Sequence, residues 1–429
     1  MYRRIAVLAA VTAVLVAVSY VVRPDLAATT QPTQRPTTEL DRLIDLFAER
    51  APEREESLEY LHLGSLFLQR ADRDSSVDDY RGATDAFRRS LDLGGDRPQA
   101  LDGHARAALG IHHFTAAVES ARTLQGLLPD DPNVIALVGD VAFGIGDYET
   151  ADAAFDRLDA LRGDDPAVMV RLAQLATVRS PTEAPRLAAA ATERARETGL
   201  RDADLAFYQS FEGNLAFERG DFERAIDLLE SAVANAPDDH GALGELARVL
   251  AATGSLEEAV ELLERANALV PEPDHLVLQG DLRARLGDIT GASRDYDAAV
   301  AEATRSADHE RAWARALATH LLDHDGDVAW ALDIAAAELS VRRDVGAWDL
   351  SAWAHYRAGD LAAARSAIDT ALSFGVADAT VWFHAGAISA AEGETIRAID
   401  ELTTALEINP GFDPLLAIEA RRLLTSLGG

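Results

Sequence analysis

The chain has 429 residues, no cysteine and a formal net charge of −32, and 48% of its residues are hydrophobic. Without cysteine, neither a disulfide bond nor a cysteine-linked lipid anchor can form. The acidic excess argues against binding to nucleic acids or to an anionic membrane surface, because both depend on cations that meet phosphate groups.

The first predicted element is a hydrophobic segment at the N-terminus. Arg3 and Arg4 precede an apolar run over residues 5–22, which at 1.5 Å per residue would form a helix about 27 Å long, close to the ~30 Å of a hydrocarbon core. We predict a signal-anchor over residues 1–26. A cleaved signal peptide is the alternative, although Leu26 stands where a cleavage site near residue 28 requires a small residue. Either interpretation places the rest of the chain outside the cytoplasm.

Residues 27–56 are predicted to form a tether followed by a lead-in helix. Residues 27–38 are rich in threonine, glutamine and proline and have almost nothing to bury, so an extended tether is expected. Residues 1–38 carry a net charge of +3, so the remainder of the chain carries −35. The acidic excess therefore belongs to the part of the chain that follows the tether.

From residue 57 the sequence repeats with a period of about 34 residues. Gly220, Gly254 and Gly287 lie 34 and 33 residues apart, and each is followed five and twelve residues later by alanine. After each turn, apolar residues recur at the spacing of one helix face. A glycine in the preceding helix, such as Gly213, allows two helices to approach closely. The pattern predicts helix–turn–helix units that bury their apolar faces on one another.

This spacing resembles the tetratricopeptide repeat, in which a small residue in the first helix precedes a Gly-Asp-aromatic turn and then alanine, a bulky residue, alanine and proline. The resemblance implies an all-α fold, a right-handed α-solenoid of about ten units preceded by one N-terminal hydrophobic helix. A capping helix is expected over residues 413–429. Units 1–4 are predicted to fill residues 57–205 and units 5–10 residues 206–412, divided as 57–97, 98–131, 132–165, 166–205, 206–239, 240–272, 273–306, 307–344, 345–378 and 379–412.

Two of these units depart from the pattern. The first has about seven extra residues in its turn, around residues 71–77. The fourth is 40 residues long and has Ser180, Pro181 and Pro185 where the glycine turn is expected. Two interpretations of the fourth unit stay open, a hinge between two sub-stacks or a divergent repeat.

The acidic residues comprise 43 aspartates and 29 glutamates, against 40 arginines and no lysine. Such a balance suits a basic partner, a high-salt habitat or solubility alone. The composition does not separate these three explanations.

The sequence contains no nucleophile motif, no phosphate-binding glycine loop and no zinc-ligand pattern, and the repeats leave no segment for a catalytic domain. We therefore predict no enzyme activity, no cofactor and no metal. The strongest metal candidate is His320 and His324, four residues apart on a helix, with the carboxylates of Asp323, Asp325 and Asp327. We interpret this segment as an ordinary acidic turn of the repeat, because it lacks the closing glutamate of a calcium loop.

A second histidine group comprises His104, His112 and His113. His112 and His113 occupy a turn where other units have Gly-Asp. Adjacent side chains on a helix point about 100° apart, so a shared ligand is not expected and a solvated turn is predicted.

All five tryptophans lie between residues 313 and 382. Trp353 follows the small-residue position of its helix, a register that in the tetratricopeptide family faces the concave groove. The resemblance implies groove-facing registers for further residues, and exposed aromatic side chains there would be suitable contacts for a partner. The alternative is that some of them pack between neighbouring units. The candidate partner-binding residues are Trp353, Tyr356, Trp313, Phe383, Phe207, Asn214, Phe217, Asp140 and Phe143.

The predicted function is a non-enzymatic scaffold or adaptor of the cell envelope that binds protein or peptide partners, including basic ones, in the concave groove. Its predicted location is the cell membrane, as a single-pass protein with extracytoplasmic repeats, or outside the cell after signal cleavage. Two alternatives stay open: a glycan or small-molecule binding module that uses the groove aromatics, and a structural component that self-assembles.

Overall fold

The computed structural model of the chain describes residues 38–74, 76–95, 97–307 and 314–428. Within these ranges the chain forms 22 helices and no strand, which confirms the all-α prediction. The predicted signal-anchor and the tether up to residue 37 lie outside the described residues. The helices are α1 (Glu39–Arg54), α2 (Ser57–Asp74), α3 (Val77–Asp92), α4 (Arg97–Gly110), α5 (Phe114–Leu127), α6 (Pro132–Gly144), α7 (Tyr148–Arg162), α8 (Pro166–Arg179), α9 (Ala184–Glu197), α10 (Asp202–Glu218), α11 (Phe222–Asn235), α12 (His240–Thr253), α13 (Leu256–Leu269), α14 (Pro273–Arg285), α15 (Ile289–Ala307), α16 (Ala314–Asp323), α17 (Val328–Val341), α18 (Val345–Arg357), α19 (Leu361–Leu372), α20 (Ala379–Glu392), α21 (Thr395–Ile408) and α22 (Leu416–Leu427).

Helices α2–α21 form ten helix–turn–helix units, numbered 1–10 along the chain, with α1 packed on α2 and α22 packed on α20 and α21. Glycines in the first helices allow close pairing within a unit. A Cβ atom at Gly139 would lie 2.3 Å from the ring of Phe155, and one at Gly280 would lie 2.5 Å from the ring of Tyr296. The large side chain of the second helix therefore packs directly on the backbone of the first.

The turn inside most units uses a residue in the left-handed region, as the glycine spacing suggests. In six units this residue is a glycine, with a backbone φ angle between 73° and 98°. In units 2 and 8 a non-glycine residue takes the same conformation, His112 with φ 58° and Asp325 with φ 55°. His112 therefore belongs to the turn of its unit. The glycines with this conformation inside the units are Gly146, Gly220, Gly254, Gly287, Gly359 and Gly393.

An aspartate immediately precedes ten of the described helices: Asp288, which accepts from the backbone N–H of Gly291 in α15, and the nine given below. In each case its carboxylate accepts a hydrogen bond from a backbone N–H in the first turn, which satisfies a donor that the helix leaves unpaired. This role gives a local reason for part of the excess of aspartate over glutamate. The other nine capping residues are Asp131, Asp147, Asp165, Asp221, Asp239, Asp327, Asp344, Asp360 and Asp378.

The first helices of successive units contact one another and form an inner layer, while the second helices form an outer layer. The two layers differ in burial. Nine residues of α20 are buried, on nearly every side of the helix, whereas α21 buries one stripe of four. None of the helices in the described part of the chain is long and apolar enough to cross a membrane.

The stack closes on itself along a seam, formed by residues 145–148 with residues 342–345 and 374, and by residues 217–222 with residues 408–411. At the first contact the backbone N–H of Arg343 donates to the carbonyl of Ile145 over 2.9 Å. At the second contact the Asn409 side-chain amide donates to the carbonyl of Phe217 over 2.7 Å. Each contact joins the turn of one unit to the connection that follows the unit five places later.

Close packing supports the first seam contact. A Cβ atom at Gly146 would lie 2.5 Å from the backbone carbonyl carbon of Arg343. Tyr148 meets Phe374 edge-to-face, with ring centroids 5.4 Å apart. One hydrophobic cluster contains Phe155 from unit 3 and Ile368 from unit 9. Early and late units therefore share a core, and the inner layer is partly covered by the chain itself.

The two divergent units fit into the stack. In unit 1 the extra residues lengthen α2 to 18 residues. In unit 4 residues 180–183 connect α8 to α9, and Pro185 lies in the first turn of α9. Helix α9 packs on both α8 and α10, and Ala188 and Phe211 belong to one hydrophobic cluster. The core is continuous through this unit.

Candidate functional site

All of the candidate partner-binding residues that the structure describes lie on first helices and so belong to the inner layer. Trp313 lies outside the described residues. The other eight are distributed over four helices: Asp140 and Phe143 on α6, Phe207, Asn214 and Phe217 on α10, Trp353 and Tyr356 on α18, and Phe383 on α20.

Five of these eight side chains are buried and so are not free to meet a partner in this conformation. They are Asp140, Phe143, Phe217, Trp353 and Phe383, each with a relative exposure of 8% or less. Phe207, Asn214 and Tyr356 are half-buried. The physical reason is that first helices pack on one another and that the seam brings later units against earlier ones. A partner-binding role for these residues stays a prediction.

The carboxylate of Asp140 in unit 3 forms an ion pair with an arginine of unit 4. The Arg171 guanidinium donates from Nε to Asp140 Oδ1 and from Nη2 to Asp140 Oδ2, each over 2.7 Å. Both side chains are about 5% exposed. Such a two-pronged pair fixes geometry as well as charge, so it ties α6 to α8 and offers no free carboxylate.

In unit 5 the candidate residues are held by an arginine from the next unit. The guanidinium of Arg248 lies 4.4 Å from the centroid of the Phe217 ring and also donates to the Asn214 side-chain oxygen. Phe207 packs edge-to-face on Tyr208 with centroids 5.2 Å apart. The contacts of Arg248 connect neighbouring units, which is the alternative that the sequence left open.

The aromatic candidates of unit 9 form what we call the Trp353 cluster: Trp353, Tyr356, His384, Asp323 and Asp349. The Trp353 ring stacks on Tyr356 and on His384, with centroids 4.8 and 4.1 Å apart. Its indole N–H donates to Asp323 Oδ1 over 2.7 Å. His384 Nδ1 lies 2.9 Å from Asp349 Oδ1. Trp353 is 5% exposed, so Tyr356 is the aromatic ring of the cluster that solvent reaches.

Three carboxylates in or next to the inner layer of units 7–10 form no ion pair with an arginine in the described part of the chain. Asp281 accepts a hydrogen bond from the Tyr296 hydroxyl over 2.7 Å, and Asp413 accepts from the backbone N–H groups of residues 415 and 416. Burial raises the pKa of Asp323 to about 7 and raises the pKa values of Asp281 and Asp413. We call Asp281, Asp323 and Asp413 the inner acids; no ion pair with an arginine joins any of them in the described part of the chain.

The histidine groups singled out in the sequence have structural partners. The rings of His320 and His324 lie 4.2 Å apart, and His324 Nε2 lies 3.3 Å from Asp281. The neighbouring acids serve other purposes, because Asp325 pairs with Arg357 and Asp327 caps α17. His104, from the second group, lies 2.9 Å from the Ser120 hydroxyl.

A different group was missed by the sequence reasoning. His240, Glu272 and His275 each place one metal-ligating atom within 4.8 Å of the other two. The residues come from the starts of α12 and α14, in consecutive units. The available signal was two histidines 35 residues apart, one repeat period, at the beginnings of equivalent helices.

The fold defines a class of protein, the α-solenoids built from stacked helix pairs. Family models for the tetratricopeptide repeat match residues 216–286 and residues 350–411, which lie in units 5–7 and 9–10. The chain therefore contains tetratricopeptide repeats in these two segments. Repeats of this family bind other proteins, so the fold indicates a protein-interaction scaffold in general terms.

Several solved structures are similar to this chain in fold. PilW, a widely conserved type IV pilus biogenesis factor, is 15% identical with a TM-score of 0.40, over 51% of this chain and 97% of that one. A tetratricopeptide repeat protein from Parabacteroides merdae is 15% identical with a TM-score of 0.34, over 77% and 100%. Yeast Tom70 is 11% identical with a TM-score of 0.37, over 91% and 92%. No curated protein matches the chain. The likeness concerns the repeat fold alone.

Proposed function

We propose that this protein is a non-enzymatic scaffold of the cell envelope, held at the membrane by its N-terminal hydrophobic segment, with the repeats on the extracytoplasmic side. The arginine pair before the apolar run supports this orientation. The repeat fold, which is typical of non-catalytic interaction proteins, supports the scaffold role. The partner is a protein or a peptide segment.

The proposed contact surface is the inner layer of units 7–10, and the proposed ligand is a basic segment. The observation that carries this proposal is that the inner acids are gathered in one region and have no arginine partner in the described chain. Removing a carboxylate from water without a cation is costly, and Arg or Lys side chains of a partner would supply the missing charge. Tyr356 is half-buried and stacks on Trp353, the residue that donates to Asp323, and it would supply an aromatic contact.

A photo-cross-linking amino acid at position 356 tests the proposal in cells that express the full-length chain. The control carries the same amino acid at position 230, an exposed residue on the outer helix α11. We expect a specific adduct with a protein partner from position 356 and none from position 230. The adduct should disappear in an Asp281→Asn/Asp323→Asn background, because those substitutions remove the charge and keep the shape.

Two results would contradict the proposal. One is an adduct formed only from position 230, which would move binding to the outer layer. The other is an adduct from position 356 that persists unchanged in the Asp281→Asn/Asp323→Asn background, which would show that the charge does not select the partner.

A further inference from the structure

The missed histidine group lies where the first helices of units 6 and 7 begin. His240 is the first residue of α12, Glu272 immediately precedes α14, and His275 lies in the first turn of α14. Helices α12 and α14 contact each other in the inner layer. Side-by-side packing therefore brings one imidazole from unit 6 against a carboxylate and a second imidazole from unit 7.

The distances within the group fit a common ion. His240 Nδ1 lies 3.4 Å from one oxygen of Glu272, and His275 Nδ1 lies 3.6 Å from the other oxygen. Zinc bonds to nitrogen and oxygen are about 2.0–2.2 Å long, which places two ligands of a tetrahedron about 3.4 Å apart. A hydrogen bond between the same atoms would be about 2.7–3.2 Å. Both distances are longer than a hydrogen bond and close to the separation of two ligands around an ion.

The nitrogen atoms that face Glu272 have no other role. His240 Nδ1 and His275 Nδ1 are both buried and have no hydrogen-bond partner. The side chains of His240, Glu272 and His275 are 12%, 9% and 13% exposed. Buried polar atoms in folded proteins are nearly always satisfied, and a cation between the two imidazoles and the carboxylate would satisfy all three groups at once.

The backbone of α12 leaves space for the imidazole ring of His275. A Cβ atom at Gly244 would lie 2.0 Å from His275 Nε2, so the ring occupies space that only glycine leaves free on α12. This contact holds His275 in place before any ion arrives, and preorganised ligands bind metals more tightly.

We propose that His240, Glu272 and His275 form a binding site for a divalent transition-metal ion of the zinc type. Two imidazoles and one carboxylate suit zinc and its neighbours, whereas calcium and magnesium prefer oxygen ligands alone. Three protein ligands leave one position for water or for a side chain of a partner. The bound ion would clamp unit 6 to unit 7 across the inner layer.

Metal titration of the full-length protein, stripped of metal with a chelator, tests this site. We expect one Zn²⁺ per chain by calorimetry, and with Co²⁺ the visible absorption of a tetrahedral complex. Glu272→Gln, which keeps the side-chain shape, should weaken Zn²⁺ binding at least 10-fold, and His240→Gln/His275→Gln should abolish it. The control His355→Gln removes a more exposed histidine and should bind as the parent does.

Thermal unfolding separates loss of the site from loss of the fold. Zn²⁺ should raise the melting temperature of the parent and of His355→Gln, since a ligand of the native state stabilises it, and should leave that of Glu272→Gln nearly unchanged. The proposal is overturned if the parent binds no stoichiometric Zn²⁺ or Co²⁺. It is equally overturned if a folded Glu272→Gln binds zinc as the parent does.

Discussion

The buried acid Asp140, in units 3 and 4, and the inner acids Asp281 and Asp323, in units 7 and 8, have different hydrogen-bond partners. In units 3 and 4, Asp140 receives two hydrogen bonds from the Arg171 guanidinium, and the charge is neutralised inside the chain. In units 7–10, Asp281 and Asp323 accept hydrogen bonds from a tyrosine hydroxyl and a tryptophan N–H, which carry no charge.

The difference separates two uses of the same residue type. A carboxylate that forms an ion pair with an arginine of the next unit specifies how the two units pack. Its loss leaves the arginine charge buried and unpaired. An unmatched carboxylate costs stability whenever it ionises, and it can respond to pH or to a cationic ligand. The interaction surface should therefore lie where the chain leaves its acids unmatched.

The largest expected effect comes from breaking the matched pair. Arg171→Met should destabilise the protein by about 3–5 kcal/mol, because Asp140 is left buried without its cation. Urea denaturation followed by circular dichroism measures the change. The double variant Arg171→Met/Asp140→Leu should recover most of the loss. A single variant that is no less stable than the double would mean that the pair does not specify docking.

A pH effect of several kcal/mol is expected from the unmatched acids. The pKa of Asp323 is raised by burial to about 7, above its unfolded value near 3.9. The folded state then binds more protons than the unfolded state between these pH values, so stability should fall as pH rises from about 4 to about 7. His384, whose pKa its carboxylate neighbours raise although burial opposes them, acts in the same direction.

Asp323→Asn isolates that contribution. The amide oxygen can still accept the hydrogen bond from Trp353, so the variant should equal the parent near pH 4 and exceed its stability near pH 8. Denaturation midpoints at both pH values give the comparison. If the parent and the variant lose the same stability over this range, Asp323 is not the titrating group.

Replacing a capping aspartate should lower the stability of the protein, whereas replacing Asp323 should raise it near pH 8. Asp360 accepts a hydrogen bond from the backbone N–H of Ala363 at the start of α19, and Asp360→Ala should cost about 1 kcal/mol. The same denaturation measurement at pH 7 applies. A stabilised Asp360→Ala would contradict the distinction between structural and unmatched acids.

The smallest effect is expected on the outer layer. Glu230 is exposed on α11, and Glu230→Gln should change stability by no more than about 0.5 kcal/mol. A larger change would show that the overall charge of −32, rather than the inner acids, governs the electrostatic part of stability.

Much of the fold could be predicted from the sequence because its contacts recur. Gly139 and Gly280 accommodate large side chains from the second helices of their own units, and the turn glycines take the left-handed conformation that their spacing suggests. These contacts join residues less than one period apart. A repeat period reveals such contacts in the sequence, since equivalent positions in every unit require the same type of residue.

The candidate site could be predicted only in part. The family register placed the described candidates on first helices, and the burial of Trp353 and Phe383 agrees with the alternative, left open by the sequence, that some of them pack between units. The group of His240, Glu272 and His275 was missed because its ligands lie 32 and 35 residues apart in two units, without a short motif to join them.

The sequence by itself determined the repeat, its helices and its turns, because local spacing and capping chemistry act within one unit or between adjacent ones. Tertiary structure alone decided the seam, in which Asn409 donates to the carbonyl of Phe217 across 192 residues. That contact depends on the small rotation between successive units, summed over five of them. No single unit encodes this sum, and so the closure became visible only in three dimensions.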